Sequence, residues 1–371
     1  MKVAFGTSLL DRGLLKVNEN GIDGIGQYCQ ELLSQFKKIS NSPSISCYSF
    51  GSTYSHERPY SLPSYATHAI SALLRPNNQT IFESCDVIHA TDQLIPIINS
   101  KPMVATVMDT IPLSHPEFLK SKSRFLKPLI WKKLTQRATR IITISDFSKQ
   151  AIMRWLDYSD DLIDSIPLGV DQRYFEAIDS NEKSLILQRL GIKSPFFLFV
   201  GSIQPRKNLQ RLIQAHQKLP RRLAQQYPLV IAGKLNWADN ETLHSLQDAI
   251  VQKRCIWLHY VSEIDKRCLM QEALALTFVS LYEGFGLPII EAFASGLPVI
   301  TSNCTSMPEI AGQAALFVDP FQTPKITEAL LALIEQSSLR ENLKVSGQLR
   351  ARLFSWQTTA KKTIAVYEKI A

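Results

Sequence analysis

Nowhere in the 371 residues do about 18 apolar side chains run together, so no membrane-spanning helix is expected. The opening stretch, MKVAFGTSLLDRG, lacks the long apolar core and small-residue cleavage site of a signal peptide and reads as a first buried strand. No Cys-x-x-Cys joins the six cysteines Cys29, Cys47, Cys85, Cys255, Cys268 and Cys304. Free, mostly buried thiols in a reducing cytoplasm are the expectation. There is no repeat of fixed short period and no low-complexity tract. No recognised nucleic-acid-binding module accompanies the basic residues, which argues against nucleic acid as a partner.

What is present is an ordinary globular composition, 45% hydrophobic and 20% charged, on a chain long enough for two or three domains. The net charge of +8 invites an anionic partner without naming it. Much of that charge is local. Lys120, Lys122, Arg124, Lys127, Lys132, Lys133, Arg137 and Arg140 lie in one stretch with no acid, interleaved with Phe125, Leu126, Ile130, Trp131 and Leu134. Pro128 is expected to split it into two helical pieces. The stretch is either a solvated helix packed on its own domain or a dock for an anionic membrane surface.

Short β-branched and aromatic runs alternate with helical patterns. Strands are expected at Val3–Gly6, Ile45–Phe50, Val87–His89, Val104–Val107 and Ile141–Ile144. A second set follows at Phe196–Val200, Leu229–Ala232, Ile256–His259, Thr277–Ser280, Pro298–Thr301 and Leu316–Val318. Between them, Ile25, Tyr28, Leu32 and Phe36 keep the 3.6 period, as do Leu330, Leu333 and Ile334. Such alternation predicts an α/β protein with parallel sheets and crossover helices. The set restarts near residue 195, after "PLGVD" and a polar stretch. Two Rossmann-like halves joined near 170–195 fit better than one large sheet.

The segment "SLYEGFGLPIIEAFASGLPVITS" places two acids, Glu283 and Glu291, around a glycine turn. Gly284 and Gly286 permit a sharp turn, Pro288 suits a first helical position and Gly296 a helix end. A helix over 288–295 would therefore start at the C-terminal end of a strand, where open α/β sheets bind ligands. Its N-terminus suits an anion such as pyrophosphate. Glu291, one turn in, could accept two hydrogen bonds from a vicinal diol such as a ribose, and Glu283 could face the other end of the same ligand. The plain alternative is a strand–turn–helix with Glu291 exposed. In "FVGSIQPRKNLQRLI", Arg206 and Lys207 follow another strand and open another helix near Asn208, which suits a phosphate clamp. The plain alternative there is a solvated pair of cations.

Together these segments resemble the retaining glycosyltransferases of family 4, the glycosyl transferases of group 1. "EGFGLPIIE" resembles their E-x7-E element and "VGSIQPRKN" their donor-phosphate loop. "ITISDFSKQAI" and "IPLGVDQRYF" are similar to the end of their first domain and the linker after it. "GIGQY" resembles their N-terminal glycine loop, and "FSWQTTAKKTIAVYE" their final helix, which returns to the first domain. The resemblance covers nearly the whole chain in order. It implies a GT-B fold of two Rossmann-like domains facing across a cleft: an acceptor domain over 1–175, joined by 354–371, and a nucleotide-sugar domain over 190–353.

The same resemblance implies site residues. Arg206 and Lys207, with Gly201 and Ser202, would hold the diphosphate. Glu291 would hold the ribose. Glu283 and Gly284, with the Phe285, Gly286 and Leu287 backbone, would hold the sugar, and the backbone at Val261 would read the base. The acceptor would meet Gly24, Gly26 and Asp109, with His89 at a strand end either facing it or satisfied internally. Catalysis would fall to Asp109 and Glu283. No metal or other cofactor is implied, in keeping with the lack of any Asp-x-Asp. One departure stands out: many members have His-Asp where this chain has Met108-Asp109. "DTIPLSHPEF" is similar to members that use GDP-mannose in polysaccharide or O-antigen assembly, so mannose moved to a glycan or lipid-linked acceptor is the expected reaction, with UDP-glucose, UDP-N-acetylglucosamine and dTDP-rhamnose left open as donors. The implied location is the cytoplasm, peripheral to the inner face of the membrane. Met108 also leaves open an inactive binding partner, and the fold a nucleotide-sugar epimerase.

Overall fold

The computed structural model describes residues 1–15, 22–51, 60–62, 64, 65, 67, 82–98, 100–119, 126–193 and 195–371. The chain divides into two compact units, Met1–Gly169 with Trp356–Ala371, and Val170–Ser355.

Among the described residues, the first unit is built on seven parallel strands: β1 (Lys2–Gly6), β2 (Ser44–Phe50), β3 (Tyr60–Leu62), β4 (Val87–Ala90), β5 (Met103–Thr106), β6 (Arg140–Thr143) and β7 (Ile163–Ser165), in the order β3-β2-β1-β4-β5-β6-β7. The second has six: β8 (Phe197–Val200), β9 (Leu229–Ala232), β10 (Cys255–His259), β11 (Ala275–Phe278), β12 (Val299–Ser302) and β13 (Leu316–Val318), in the order β10-β9-β8-β11-β12-β13. Most inner strands are four or five residues long and buried along nearly their whole length, as expected of parallel sheets covered by helices on both faces. Each unit has its own core, around Tyr48, Ile88, Ala105 and Ile141 in the first, and Phe197, Phe199, Leu212, Ile231 and Leu330 in the second.

Both sheets reverse their winding once, between β1 and β4 and between β8 and β11. The loops leaving the C-terminal ends of these neighbouring strands diverge, and the crevice between them is where such sheets take ligands.

Two expectations need correction. First, β3 and β7 were not foreseen; each is a three-residue edge strand, too short to show a period. Second, residues 170–175 belong to the second unit, not the first. Tyr174, in the 3-10 turn Gln172–Phe175, is buried there. The stretch expected as a polar join instead forms the helix Ser180–Arg189, whose Ile186 packs with Ile178 and Cys268. Of the two helical pieces expected around Pro128, the described residues contain the helix Leu126–Thr135. Residues 120–125 of the basic stretch lie outside the described residues.

The helix Trp356–Glu368 completes the first unit. Thr359 Oγ1 donates to the Pro167 carbonyl at 2.7 Å, and the Tyr367 ring packs 6.3 Å from Phe36.

Candidate functional site

The site is assembled at the winding reversal of the second unit. β8 ends at Val200, and Gly201 follows with φ +140°, a conformation that favours glycine. The Gly201 carbonyl lies against Gly233, where an added Cβ would come within 1.8 Å of it. The chain then makes a 3-10 turn, Pro205–Lys207, and Asn208 enters the left-handed region at φ +58°. Asparagine tolerates that conformation, and its Nδ2 donates to the carbonyls of Val279 (3.0 Å) and Pro320 (2.8 Å). With Leu281 N donating to the Arg206 carbonyl at 2.7 Å, the loop after β8 is tied to the loop after β11.

That second loop carries Glu283. Ser306 Oγ donates to the carbonyls of Glu283 (2.9 Å) and Phe285 (3.1 Å), which fixes the glycine turn. The Glu283 carboxylate lies between Arg206 Nη1 at 2.7 Å and Lys207 Nζ at 2.6 Å. Arg206 Nη1 also donates to the Tyr282 carbonyl at 3.0 Å. Lys207, only 7% exposed, holds its ammonium 4.6 Å from the Phe278 ring centroid. Burial pushes the Glu283 acid up, but the charges of Arg206 and Lys207 win and hold it at about 2. Burial likewise pushes Lys207 down to about 8, with Glu283 pulling the other way. The sequence reading had the two cations free for phosphate and the acid elsewhere on the ligand. In the structure the three form one triad, two cations around one anion, with a net charge of +1.

The helix Leu287–Ala294 begins beside this triad. Gly286 is its N-cap at φ +103°, and no side chain caps the first-turn N–H groups. These N–H groups and the triad can both attract an anion. One turn in, Glu291 is buried at 3% exposure, which excludes the exposed alternative. Its Oε1 is 3.1 Å from Lys266 Nζ, on the helix Glu263–Glu272. Lys266 also pairs with Glu263 at 3.2 Å, and the Tyr174 hydroxyl donates to Glu263. Here two acids surround one cation. Sequence reasoning missed Lys266, Glu263 and Tyr174. Only the Glu263–Lys266 spacing of three was a signal, and it is common to any exposed helix. Val261 is half-buried between β10 and that helix, which opens with a capping box between Ser262 and Asp265.

In the first unit the expected residues do not gather in the same way. His89, on β4, is fully buried, with Nδ1 2.7 Å from the Tyr367 hydroxyl and Nε2 2.7 Å from Thr106 Oγ1. Burial pushes its imidazole down to about 3. His89 is therefore internally satisfied and is removed from the acceptor set. Asp109, half-buried after β5, accepts from Ile111 N at 3.1 Å and so caps a turn. Gly24 opens the helix Gly24–Phe36, and a Cβ there would meet nothing within 4 Å. Gly26 already donates its N–H to Asp23 Oδ1 at 2.8 Å. The helix Leu126–Thr135 buries Trp131 and exposes Leu129 (57%) and Ile130 (50%). Among the described residues, no group of three or more His, Cys, Asp or Glu could hold a metal ion, and no helix is long and apolar enough to cross a membrane.

Comparison with known proteins decides the family. Residues 22–174 match Glycosyltransferase Family 4 and residues 183–350 match Glycosyl transferases group 1. O-antigen chain mannosyltransferase B of Escherichia coli is 33% identical over 260 residues, covering 70% of this chain and 67% of that protein. The chain belongs to glycosyltransferase family 4. Another family relative, the serotype-specific mannosyltransferase WbdA of Escherichia coli, is 28% identical over 273 residues, covering 72% of this chain and 33% of the longer WbdA. Among solved structures, Anabaena Alr3699/HepE in complex with UDP and glucose aligns with a TM-score of 0.78 at 17% identity, covering 100% of both chains. That likeness shows the GT-B fold of this family 4 chain.

Proposed function

We propose that the second unit binds a nucleotide-sugar donor and that the chain transfers mannose from GDP-mannose to a glycan or lipid-linked acceptor in O-antigen or other cell-surface polysaccharide assembly. The observation that carries the proposal is the pair of oppositely charged clusters built around the buried Glu283 and Glu291. The Arg206–Lys207–Glu283 triad, net +1, suits the diphosphate. The Glu291–Lys266–Glu263 cluster, net −1, suits hydroxyl donors such as the ribose diol. The choice of mannose is supported by the relatives, which are mannosyltransferases.

Transfer with retention and without a metal is part of the same proposal, and the same groups support it. As the glycosidic bond to phosphate breaks, charge grows on the departing diphosphate, where Arg206, Lys207 and the uncapped N–H groups at Leu287 can stabilise it. The departing phosphate can take the acceptor hydroxyl's proton on the same face, so no protein base is required. Asp109 orients the acceptor hydroxyl or stabilises positive charge on the ring. Its bond to Ile111 N supplies a competing, structural role. A cap contributes about 1 kcal/mol to stability and leaves chemistry alone. Asp109→Asn is therefore expected to bind donor normally and to lose transfer by about a hundredfold, roughly 2.7 kcal/mol of barrier. Unchanged transfer with a lowered melting temperature assigns Asp109 to the cap alone.

The acceptor is proposed to be presented at the inner membrane face. Leu129 and Ile130 are exposed beside Lys132 and Lys133 on one helix, the combination that docks on anionic lipid. Failure to sediment with anionic liposomes at low salt removes this part.

The decisive experiment is incubation of the purified protein with radiolabelled GDP-mannose and lipid-linked oligosaccharides, following product and anomeric configuration. A thermal-shift panel of GDP, UDP and dTDP identifies the base, since a ligand at 100 times its dissociation constant stabilises by about 2.7 kcal/mol. Donor binding without transfer to any acceptor selects the inactive partner suggested by Met108, and an epimerised nucleotide sugar selects the epimerase.

A further inference from the structure

The cluster around Glu291 contains more than a diol acceptor requires. Lys266 places one ammonium 3.1 Å from Glu291 Oε1 and 3.2 Å from Glu263 Oε2, and 5.2 Å from the centroid of the Tyr174 ring. The Tyr174 hydroxyl in turn donates to Glu263. Three separate elements meet here: the 3-10 turn Gln172–Phe175, the helix Glu263–Glu272 and the helix Leu287–Ala294.

A carboxylate buried this deeply tends to take up a proton. Burial and the neighbouring Glu263 charge both push Glu291 upward, while Lys266 and Tyr174 pull it back. Protonation would matter, because a neutral acid has a donor of its own and offers fewer acceptor sites. A vicinal diol brings two O–H donors and is best met by an ionised carboxylate in one fixed rotamer.

We propose that Lys266 is a positioning residue for the donor's ribose: by pairing with Glu291 it holds that carboxylate ionised and oriented for the two ribose hydroxyls, while Glu263 and Tyr174 hold Lys266 in place. This rests on the reading of Glu291 as the ribose acceptor. A purely structural ion pair would affect stability but would not affect discrimination between a ribose and a sugar lacking its hydroxyls.

The test measures binding of GDP and of 2′,3′-dideoxy-GDP by calorimetry, with thermal unfolding recorded on each variant. Wild type is expected to favour GDP by at least about tenfold, as two charge-assisted hydrogen bonds allow. Lys266→Gln and Lys266→Met should lose most of that ratio, and Lys266→Arg should restore it. A folded Lys266→Gln or Lys266→Met protein with the wild-type ratio overturns the proposal. If neither neutral variant folds, Tyr174→Phe decides, since it removes only a hydroxyl: the ratio should fall severalfold, and no change overturns the proposal. The underlying reading fails separately. A wild-type ratio near one, or a ratio in Glu291→Gln equal to wild type, shows that Glu291 does not hold the ribose, and the proposal falls with it.

Discussion

The two units share one order over six strands and place different side chains around its winding reversal. In the second, Lys207, Glu283 and Glu291 are buried at the reversal in paired but unbalanced clusters. In the first, Asp11 and Asp92 are buried after β1 and β4 and accept from Thr7 and Leu94, and His89, within β4, is neutral with both nitrogens engaged, by Thr106 and by Tyr367 of the helix Trp356–Glu368. Buried charge is costly unless it is paired, and a cluster with a residual charge is completed by a ligand of opposite character. One reversal is therefore built to be completed from outside, while β4 of the other is completed by the chain itself. Strand order alone does not separate these outcomes; the residues placed at the strand ends do.

The comparison is attacked most strongly at Glu283. Glu283→Gln leaves two cations together without their counter-ion, and breaking such a buried pair costs about 3–5 kcal/mol. Chemical denaturation of the variant checks this, and a cost below about 1 kcal/mol would mean the triad is solvent-screened. The acid limb gives a second reading. Because the folded-state value, about 2, lies below the ordinary 4.5, the stabilisation is fully present above pH 4.5 and is lost as pH falls through about 2. The variant should lack that part of the acid transition.

Arg206→Ala comes next. Its guanidinium is partly accessible, so the fold should survive, while nucleotide-sugar turnover falls at least about tenfold, from the loss of roughly 1.5–3 kcal/mol of charge-assisted hydrogen bonding. Near wild-type turnover would remove the phosphate role from the triad.

His89→Leu tests the other side. It orphans the Tyr367 hydroxyl and leaves Thr106 with Tyr28, 3.0 Å away, at a cost of about 1–3 kcal/mol, yet donor affinity should not change. Because the folded imidazole is held near 3, below the usual 6.5, wild type loses stability as pH falls from 6.5 towards 3, and the variant should lose this slope. A fall in donor affinity as large as that of Arg206→Ala would erase the distinction between the units.

The smallest effect is expected at Gly24. Open space surrounds its missing Cβ, so Gly24→Ala should be neutral or stabilising by up to about 1 kcal/mol. A raised acceptor KM at unchanged stability would show that the space is used by the acceptor. Gly26 is the control, because a Cβ there would lie 2.5 Å from Ile22 Cγ2.

The contrast also explains what could be seen in the sequence. Leu229–Ala232 was legible to the residue, because a buried parallel strand is an uninterrupted apolar run, and the half-buried edge strand Leu316–Val318 keeps such a run too. The turn–helix holding Glu283 and Glu291 was legible because glycine and proline punctuate it. The pairing of Glu283 with Arg206 and Lys207 was not, since those residues are 77 and 76 positions away and spacing carries no trace of such contacts. Lys266 went unread for the same reason, since Glu291 lies 25 positions away. His89 showed only that it ended a strand; the tyrosine that satisfies it lies 278 positions later.

That separation also bears on how the protein is made. The second unit is one continuous stretch, Val170–Ser355, whereas the first needs both ends of the sequence. While the ribosome is still translating the middle of the chain, the first sheet has its strands but lacks the helix Trp356–Glu368, so His89 and Phe36 have no Tyr367 to meet. Of these two units, the one begun first is thus completed after the other. Any message cut short before Tyr367 yields a nascent first sheet with a raw polar and aromatic seam, the kind of surface that chaperones hold and proteases clear.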